Sequence, residues 1–140
     1  MEIDFDEISR TKRYRFLTHV VVRRPMAWVT TLSDSGVVNA APFSFFNVFG
    51  SDPAFVGLGI GNRKDGSPKD TVLNIEKTGE FVINTVTESL AERMVQTSYE
   101  YVPEENELEA VSLTSFPSVK VKPPRILESP ADLECRKLSI

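Results

Sequence analysis

The chain has 140 residues, of which 41% are hydrophobic and 26% charged, and its formal net charge is −4. This length suits one domain with one core, residues 1–140, and the negative charge gives no support for a nucleic-acid partner. No apolar run approaches the roughly 20 residues that span a bilayer, and the acidic N-terminus lacks a signal-peptide pattern, so no membrane contact is predicted. The single cysteine, Cys135, excludes an internal disulfide and indicates a reducing, cytoplasmic location.

Residues 1–19 predict a short helical lead-in in which acidic and basic residues alternate. His19, the only histidine, comes just before a run of three valines. A lone histidine at a strand entrance is typical of a structural role, and no second histidine can share a metal ion. The sequence therefore predicts no metal site.

The first strand pair is the clearest local pattern. Ala27–Leu32 predicts a strand, residues 33–36 a turn, and residues 37–40 the returning strand. Because side chains alternate along a strand, Thr30 and Thr31 place one hydroxyl on each face. Either hydroxyl could face a ligand, or both residues could be present for their fit to a pleated sheet.

Residues 39–53, NAAPFSFFNVFGSDP, have an unusual composition. Small residues at 40–42 allow another group to approach the backbone, and the aromatic residues that follow supply flat apolar area. The stretch closes on Gly50-Ser51-Asp52-Pro53, which favours a turn. Two interpretations remain open, a core strand that enters a turn and a surface that covers a flat ligand.

Residues 54–60 predict a strand with Val56, Leu58 and Ile60 on one face and Gly57 and Gly59 on the other. Glycine inside a strand often marks the close approach of another backbone or a ligand. The glycine-rich run lacks the GxGxxG spacing and no helix follows at once, so it does not predict a dinucleotide-binding turn.

Residues 63–71 predict a loop that leads into a helix, with Ser67 as its N-cap and Gly79 as its C-cap. A helix N-terminus attracts phosphate, and Arg63, Lys64 and Lys69 add positive charge. The alternative is a capped surface helix in which the negative charge of Asp70 already compensates the helix dipole.

The second half of the chain predicts simpler elements. These are a strand at residues 80–86, a helix capped by Ser89, a solvated acidic loop or lid at residues 103–109, an edge strand at residues 119–122, and a last strand from Leu133 to Ile140. An acidic recognition surface is the alternative for the loop, which carries four glutamates.

Several of these stretches, taken together and in order, resemble the flavin reductase-like family, and most closely its flavoredoxin-like branch. The matching stretches cover most of the chain and are RPMAWVTT at 24–31, APFSFFN at 41–47, PKDT at 68–71, NI at 74–75, TGEFVIN at 78–84, PRI at 124–126, ESP at 128–130 and LEC at 133–135. This resemblance implies a mostly β fold with flanking helices, an FMN-binding split β-barrel of Greek-key type. Family members continue beyond the strand that starts at Leu133, so we expect a barrel incomplete at its C-terminus, either as a fragment or with the open edge covered by a second subunit.

The resemblance also implies a cofactor site. Family members bind the flavin ring of FMN against the segment that matches Ala41, Pro42, Ser44, Phe45, Phe46 and Asn47. The phosphate would lie against the loop that supplies Arg63, Ser67, Lys69, Asp70 and Thr71. No catalytic side chain is expected, because the flavin carries the chemistry. Trp28 would lie either near the ring or in the core.

Three functions follow from the resemblance as alternatives. The first is an oxidoreductase that reduces flavin with NADH or NADPH, with an oxygenase or another redox protein as its partner. The second is a flavoredoxin-type electron carrier with a protein partner, and the third is a truncated, catalytically silent chain. A homodimer is expected in addition, because split-barrel flavoproteins pair two subunits with each flavin near the interface.

Overall fold

A computed structural model describes residues 4, 7–22 and 24–139. Parts of the predicted lead-in (residues 1–3 and 5–6) and the final residue of the last predicted strand lie outside the described residues. The helices are α1 (Arg10–Val20), α2 (Asp70–Thr78), α3 (Ala91–Gln96) and α4 (Glu107–Ala110), with a 3-10 helix at Glu88–Leu90 before α3. The strands are β1 (Ala27–Leu32), β2 (Val38–Phe43), β3 (Phe45–Ser51), β4 (Ala54–Gly59), β5 (Glu80–Asn84), β6 (Ser115–Phe116), β7 (Arg125–Ile126) and β8 (Asp132–Arg136).

The main sheet has four antiparallel strands in the order β2-β1-β5-β8. The predicted first hairpin is confirmed, since Ser33 and Val37 close the turn with a 2.9 Å backbone hydrogen bond and Gly36 takes a φ of 82°. The returning strand runs on to Phe43 because Phe43 pairs with Ala27 at the far end of β1. Strand β2 is therefore longer than predicted.

Strand β1 lies at the centre of the molecule with both of its faces buried. One face packs Trp28 against Leu108 and Ile126, and the other packs Val29 against Ile75 and Ile83. The core position expected for Trp28 is confirmed, because its side chain is completely buried. Helices thus cover both faces of the sheet.

The two β1 threonines serve the core. Thr30 Oγ1 donates to the Pro124 carbonyl at 2.6 Å, and Thr31 Oγ1 accepts from Asn74 Nδ2 at 3.1 Å. Both side chains are fully buried. The hypothesis that one of them faces a ligand is wrong, because each hydroxyl satisfies a buried polar partner instead.

The predicted edge strand at residues 119–122 is also wrong. This segment is an irregular loop whose backbone N–H groups donate to carboxylates of the main sheet. Val119 N donates to Glu134 at 2.8 Å, and Lys122 N donates to Glu80 at 2.9 Å. Carboxylate acceptors thus replace a neighbouring strand.

The β3–β4 hairpin forms a separate two-stranded sheet beside the main one. A Cβ atom at Gly57 would lie 2.5 Å from the Phe49 ring, and one at Gly59 would lie 2.9 Å from Phe45 Cβ. The groups that closely approach these glycines are therefore phenylalanines of β3. The predicted apolar face of β4 is confirmed, because Val56 and its alternate neighbours pack against the core.

An open apolar groove of about 1250 Å³ lies between this hairpin and β8. Its walls include Val48, Phe55 and Leu133. Helix α1 lies against the outside of the hairpin, where the Tyr14 and Phe45 rings meet edge-on at 5.9 Å between centroids. Among the described residues, no helix combines the length and apolar character that crossing a membrane requires.

Candidate functional site

A second cavity, of about 390 Å³, lies where the N-terminus of α2 meets the outer edge of β2. The loop after α3 and the first residue of α4 complete its walls. The lining residues are Asn39, Ala41, Pro42, Asn62, Arg63, Lys64, Lys69, Asp70, Thr71, Thr97, Ser98, Tyr99, Glu100, Tyr101 and Glu107. Ligand pockets in proteins commonly span about 300–1,000 Å³, so this cavity can accept a small molecule.

Three cations, Arg63, Lys64 and Lys69, line the cavity. Arg63 Nη2 forms a 2.5 Å ion pair with Asp70 Oδ2, and its Nη1 donates to the Pro68 carbonyl. Lys69 Nζ lies 5.5 Å from the centre of the Phe43 ring and forms no ion pair with any residue that the structure describes. Lys69 therefore keeps its charge available for an anion.

The N-terminus of α2 adds backbone donors to these cations. Lys69 is the N-cap, and no side chain caps the helix. Thr71 is buried in the first turn, where its Oγ1 accepts from Asn39 Nδ2 at 3.1 Å and ties the helix to β2. Helix N-termini favour anions because their first N–H groups lack backbone partners.

The prediction that Ser67 caps this helix is wrong. The Ser67 hydroxyl donates to Asp65 Oδ1 at 2.6 Å and the Ser67 N–H donates to the same oxygen at 2.9 Å, which lowers the pKa of Asp65. The helix begins three residues later, at Asp70, because Pro68 and Lys69 first complete the turn. The predicted C-cap is confirmed, since Gly79 takes a left-handed φ of 70°.

The structure brings together only part of the site predicted from the sequence. Six of the predicted residues line the cavity, namely Ala41, Pro42, Arg63, Lys69, Asp70 and Thr71. Ser67 and the segment from Ser44 to Asn47 do not. A flavin contact by these residues remains a prediction.

Strand β3 holds most of the residues that lie away from the cavity. Phe45, Phe46 and Asn47 pair with β4, and Phe46 packs against the core. Asn47 Oδ1 accepts from the N–H of the next residue, Val48, at 2.9 Å. Ser44 lies at the bend between β2 and β3, two residues beyond the cavity wall at Pro42.

Glu107 is a cavity residue that the sequence analysis did not find. It lies at the start of α4 with 8% of its surface exposed, and its Oε2 accepts from the Ala40 N–H at 2.5 Å. Burial raises the Glu107 pKa to about 7, against the effect of that hydrogen bond, and the negative charges of Asp70 and Glu105 raise it further. The prediction of a solvated acidic loop at residues 103–109 is thus partly wrong, because α4 begins at Glu107 and this residue is buried.

A sequence signal for this short helix was present. Asn106 caps α4 by accepting from the N–H groups of Leu108 and Glu109, a pattern that N-x-x-E predicts. The pattern locates the helix but says nothing of the burial of Glu107.

The rim formed by residues 97–101 was missed as well. Thr97 is buried and accepts from Trp28 Nε1 at 3.0 Å, which anchors the rim to the centre of the sheet. Tyr101 donates to the Gln96 carbonyl at 3.3 Å, and burial raises its pKa. No local pattern connects this segment to the cavity, because the anchoring contact spans 69 residues.

The donors around the cavity suit a phosphate-bearing ligand. Guanidinium, ammonium, amide and helix N-terminal groups all stabilise negative charge. Among the described residues, no group of three His, Cys, Asp or Glu side chains could hold a metal ion. Cys135 lies outside the cavity, and burial raises its thiol pKa to about 11, so it is not a ready nucleophile there.

Comparison with known proteins identifies the family of this chain. Residues 20–140 match the model of the family described as "Flavin reductase like domain". An uncharacterized protein from Halalkalibacterium halodurans is 45% identical over 136 residues, which cover 97% of this chain and 65% of that protein. The uncharacterized Bacillus subtilis protein YwrF is 41% identical over 94% of this chain and 63% of its own length. The chain thus spans somewhat less than two thirds of these two relatives.

Solved structures extend the comparison. Nitrilotriacetate monooxygenase component B from Bacillus cereus superposes with a TM-score of 0.90 at 32% identity, covering 97% of this chain and 67% of that one. The Pseudomonas fluorescens 2-nitrobenzoate 2-nitroreductase NbaA has a TM-score of 0.84 at 35% identity, covering 97% and 64%. A Shewanella frigidimarina protein, described as a candidate flavin reductase with a split barrel domain, has a TM-score of 0.79 at 25% identity, covering 97% and 68%.

Proposed function

The chain belongs to the flavin reductase-like family and has its mostly β split-barrel fold, and on this basis we propose that it binds FMN in the cavity at the N-terminus of α2 and passes reducing equivalents from NADH or NADPH through it. One observation carries the proposal. Residues from two distant stretches, 41–42 and 63–71, which the sequence had assigned to opposite ends of a flavin, line the same cavity.

The phosphate group of FMN would be held by Lys69, by Arg63 and by the first N–H groups of α2. Lys69 has no ion-pair partner among the described residues, whereas Arg63 is already held in place by Asp70. Charged donors of this kind contribute about 1.5–3 kcal/mol per hydrogen bond. Thr71 would support the phosphate site by tying α2 to β2, and Asp70 would support it by holding the Arg63 guanidinium in place.

The ring and ribityl chain would extend from Ala41 and Pro42 toward Ser44–Asn47. Bound flavin would supply hydride and electron transfer, so the protein needs no nucleophile or general base. Ala41 and Pro42 leave room for a flat group, and hydrogen bonds from Ser44, Asn47 and the N–H groups of Phe45 and Phe46 would stabilise negative charge on the reduced ring.

An oxygenase is the partner that the comparisons favour. The likeness to nitrilotriacetate monooxygenase component B, at 32% identity, supports a role as the reducing component of an oxygenase. The likeness to the nitroreductase NbaA, at 35% identity, supports a second candidate function in which the same flavin reduces a nitroaromatic compound directly. Both functions use the same cavity.

Flavin binding is tested by titrating the purified protein with FMN and following flavin fluorescence. We expect saturable binding with FMN preferred over FAD, because a cavity of about 390 Å³ lies near the lower end of the volumes that ligand pockets span and leaves little room for an added adenine. Absence of binding, or a preference for FAD, contradicts the proposal.

Reduction is tested under anaerobic conditions with the FMN-loaded protein. Loss of the visible flavin band on addition of NADH or NADPH alone supports the reductase. Reduction only when a redox partner protein is added supports the electron-carrier alternative instead. Re-oxidation by 2-nitrobenzoate in the absence of oxygen supports the second candidate function.

A further inference from the structure

Glu107 places a buried carboxylate in the cavity without a cation beside it. It forms no ion pair with any residue that the structure describes. The charges that act on it most directly are those of two further carboxylates, Asp70 and Glu105. A buried carboxylate that lacks a countercharge resists the arrival of more negative charge.

The hydrogen bond to Ala40 holds this carboxylate in the cavity wall. The Ala40 N–H lies on the outer edge of the main sheet, where no strand among the described residues pairs with it. If Glu107 turned away, that buried N–H would lose the acceptor that the described residues give it. Glu107 therefore cannot easily withdraw when a ligand enters.

The other titratable groups in or near the cavity come from two parts of the chain. Arg63, Lys64 and Lys69 belong to the loop before α2 and its N-cap, and Asp70 belongs to the first turn. Glu100, Tyr99 and Tyr101 belong to the rim, and Glu105 precedes α4. An anion can approach the cations, but within a cavity of about 390 Å³ it also comes under the field of Glu107.

We propose that Glu107 is a specificity-determining residue of this cavity, which takes up a proton from solvent, in those molecules where it is ionised, when a phosphate-bearing flavin binds, and retains the proton while the flavin is bound. This inference rests on the proposed function. The uncharged Glu107 carboxyl group does not repel the phosphate and can donate a hydrogen bond to it. The cavity therefore binds FMN when Glu107 is protonated. Riboflavin carries no phosphate and needs no such proton.

A dependence on pH follows. Because the Glu107 pKa in the empty cavity is about 7, about half of the molecules carry the ionised carboxylate at neutral pH. A phosphate monoester is already largely a dianion above its second pKa of about 6, so further pH increase changes mainly the protein. FMN affinity should therefore fall as the pH rises above 7, whereas riboflavin affinity should stay nearly constant.

The test compares FMN binding by the wild type and by Glu107→Gln from pH 7 to 8.5. Glutamine keeps a side-chain oxygen for the Ala40 N–H and removes the titration. We expect the wild-type dissociation constant to rise roughly 5- to 15-fold over this range, since one linked proton gives at most about tenfold per pH unit. The FMN dissociation constant of Glu107→Gln should change little over the same pH range. Glu104→Gln, which removes an exposed carboxylate from the same acidic segment but outside the cavity lining, is the matched control and should behave as the wild type.

Calorimetry of the wild type provides an independent readout that needs no variant. FMN titrations in two buffers of different ionisation enthalpy report the protons taken up per flavin, and we expect net uptake near pH 7.5 for FMN and none for riboflavin. Equal pH profiles for wild type and Glu107→Gln, or no net proton uptake, overturn this inference and leave the proposed function intact. Failure of the wild type to bind FMN at any pH overturns both.

Discussion

Trp28 Nε1 donates a hydrogen bond to Thr97 Oγ1 across 69 residues of sequence, and this bond joins the centre of the sheet to the rim of the cavity. Both side chains are buried, and Thr97 also donates to the Met94 carbonyl at 2.7 Å. The position of the rim thus depends on the core.

Replacing Thr97 with valine should destabilise the protein by about 1–3 kcal/mol, because the Trp28 N–H would remain buried without an acceptor. Urea unfolding followed by tryptophan fluorescence measures the change. Thr97→Ser retains the hydroxyl and should cost clearly less. Equal losses in the two variants would show that the methyl group, and not the hydrogen bond, is what matters.

Lys69→Ala should weaken FMN binding by about 1.5–3 kcal/mol, the range for hydrogen bonds to charged groups. Riboflavin binding, which lacks the phosphate contact, should change much less. Lys77→Ala is the matched control, because Lys77 belongs to the same helix but pairs with Asp34 at 2.7 Å outside the cavity. If Lys69→Ala weakens both ligands equally, the loop is structural and does not contact the phosphate.

Stability should depend on pH through Glu107. Its folded-state pKa, about 7, lies above the ordinary value of 4.5, so the folded protein holds this proton more tightly than the unfolded chain. The free energy of unfolding should therefore fall as the pH rises from about 4.5 to 7, by up to about 3 kcal/mol, and this contribution should level off above pH 7.

Glu107→Gln isolates that contribution, because all other titrating groups remain in both proteins. The difference in unfolding free energy between variant and wild type should shift in favour of the variant as the pH rises from 5 to 7. Chemical denaturation at several pH values measures it. A difference that stays constant with pH would mean that Glu107 titrates at its ordinary value.

A homodimer is the predicted folded species, because the groove between β4 and β8 exposes apolar side chains. Leu133 is 44% exposed there and lies on β8, an edge strand of the main sheet among the described residues. A twofold pairing would cover such an edge without forming open polymers. Light scattering across a dilution series should therefore report a dimer.

Leu133→Lys should shift that equilibrium toward the monomer, whereas Leu127→Lys should not, because Leu127 is similarly exposed but lies outside the groove. A flavin-loaded wild-type monomer that persists at micromolar concentration would rule out the dimer.

Much of the local structure could be predicted because it depends on neighbouring residues. The β1–β2 hairpin follows from a strand pattern on either side of Gly36, whose positive φ suits the turn. The end of α2 follows from Gly79 for the same reason. The cationic loop could be predicted because Arg63, Lys64 and Lys69 lie within seven residues of one another, and its contact with a phosphate remains a prediction.

Other predictions were wrong where a carboxylate side chain competes for the hydrogen bond that the predicted element requires. Residues 119–122 alternate like a strand, but Glu134 and Glu80 accept their N–H groups and hold them as a loop. Ser67 has the spacing of an N-cap, but Asp65 accepts its hydroxyl. In each case a carboxylate accepts a hydrogen bond from a group that the prediction had assigned to a strand or a helix cap.

The sequence by itself determined the family, the hairpin and the cationic loop, since these depend on residue types at short spacing. Only the tertiary structure decided that Glu107 is buried in the cavity wall, because its partner Ala40 lies 67 residues away. The same holds for the rim, which Trp28 anchors through Thr97. The glutamates of an acidic run are ordinarily solvated. Here the Ala40 N–H at the edge of β2 donates the hydrogen bond that holds the Glu107 carboxylate in the cavity wall.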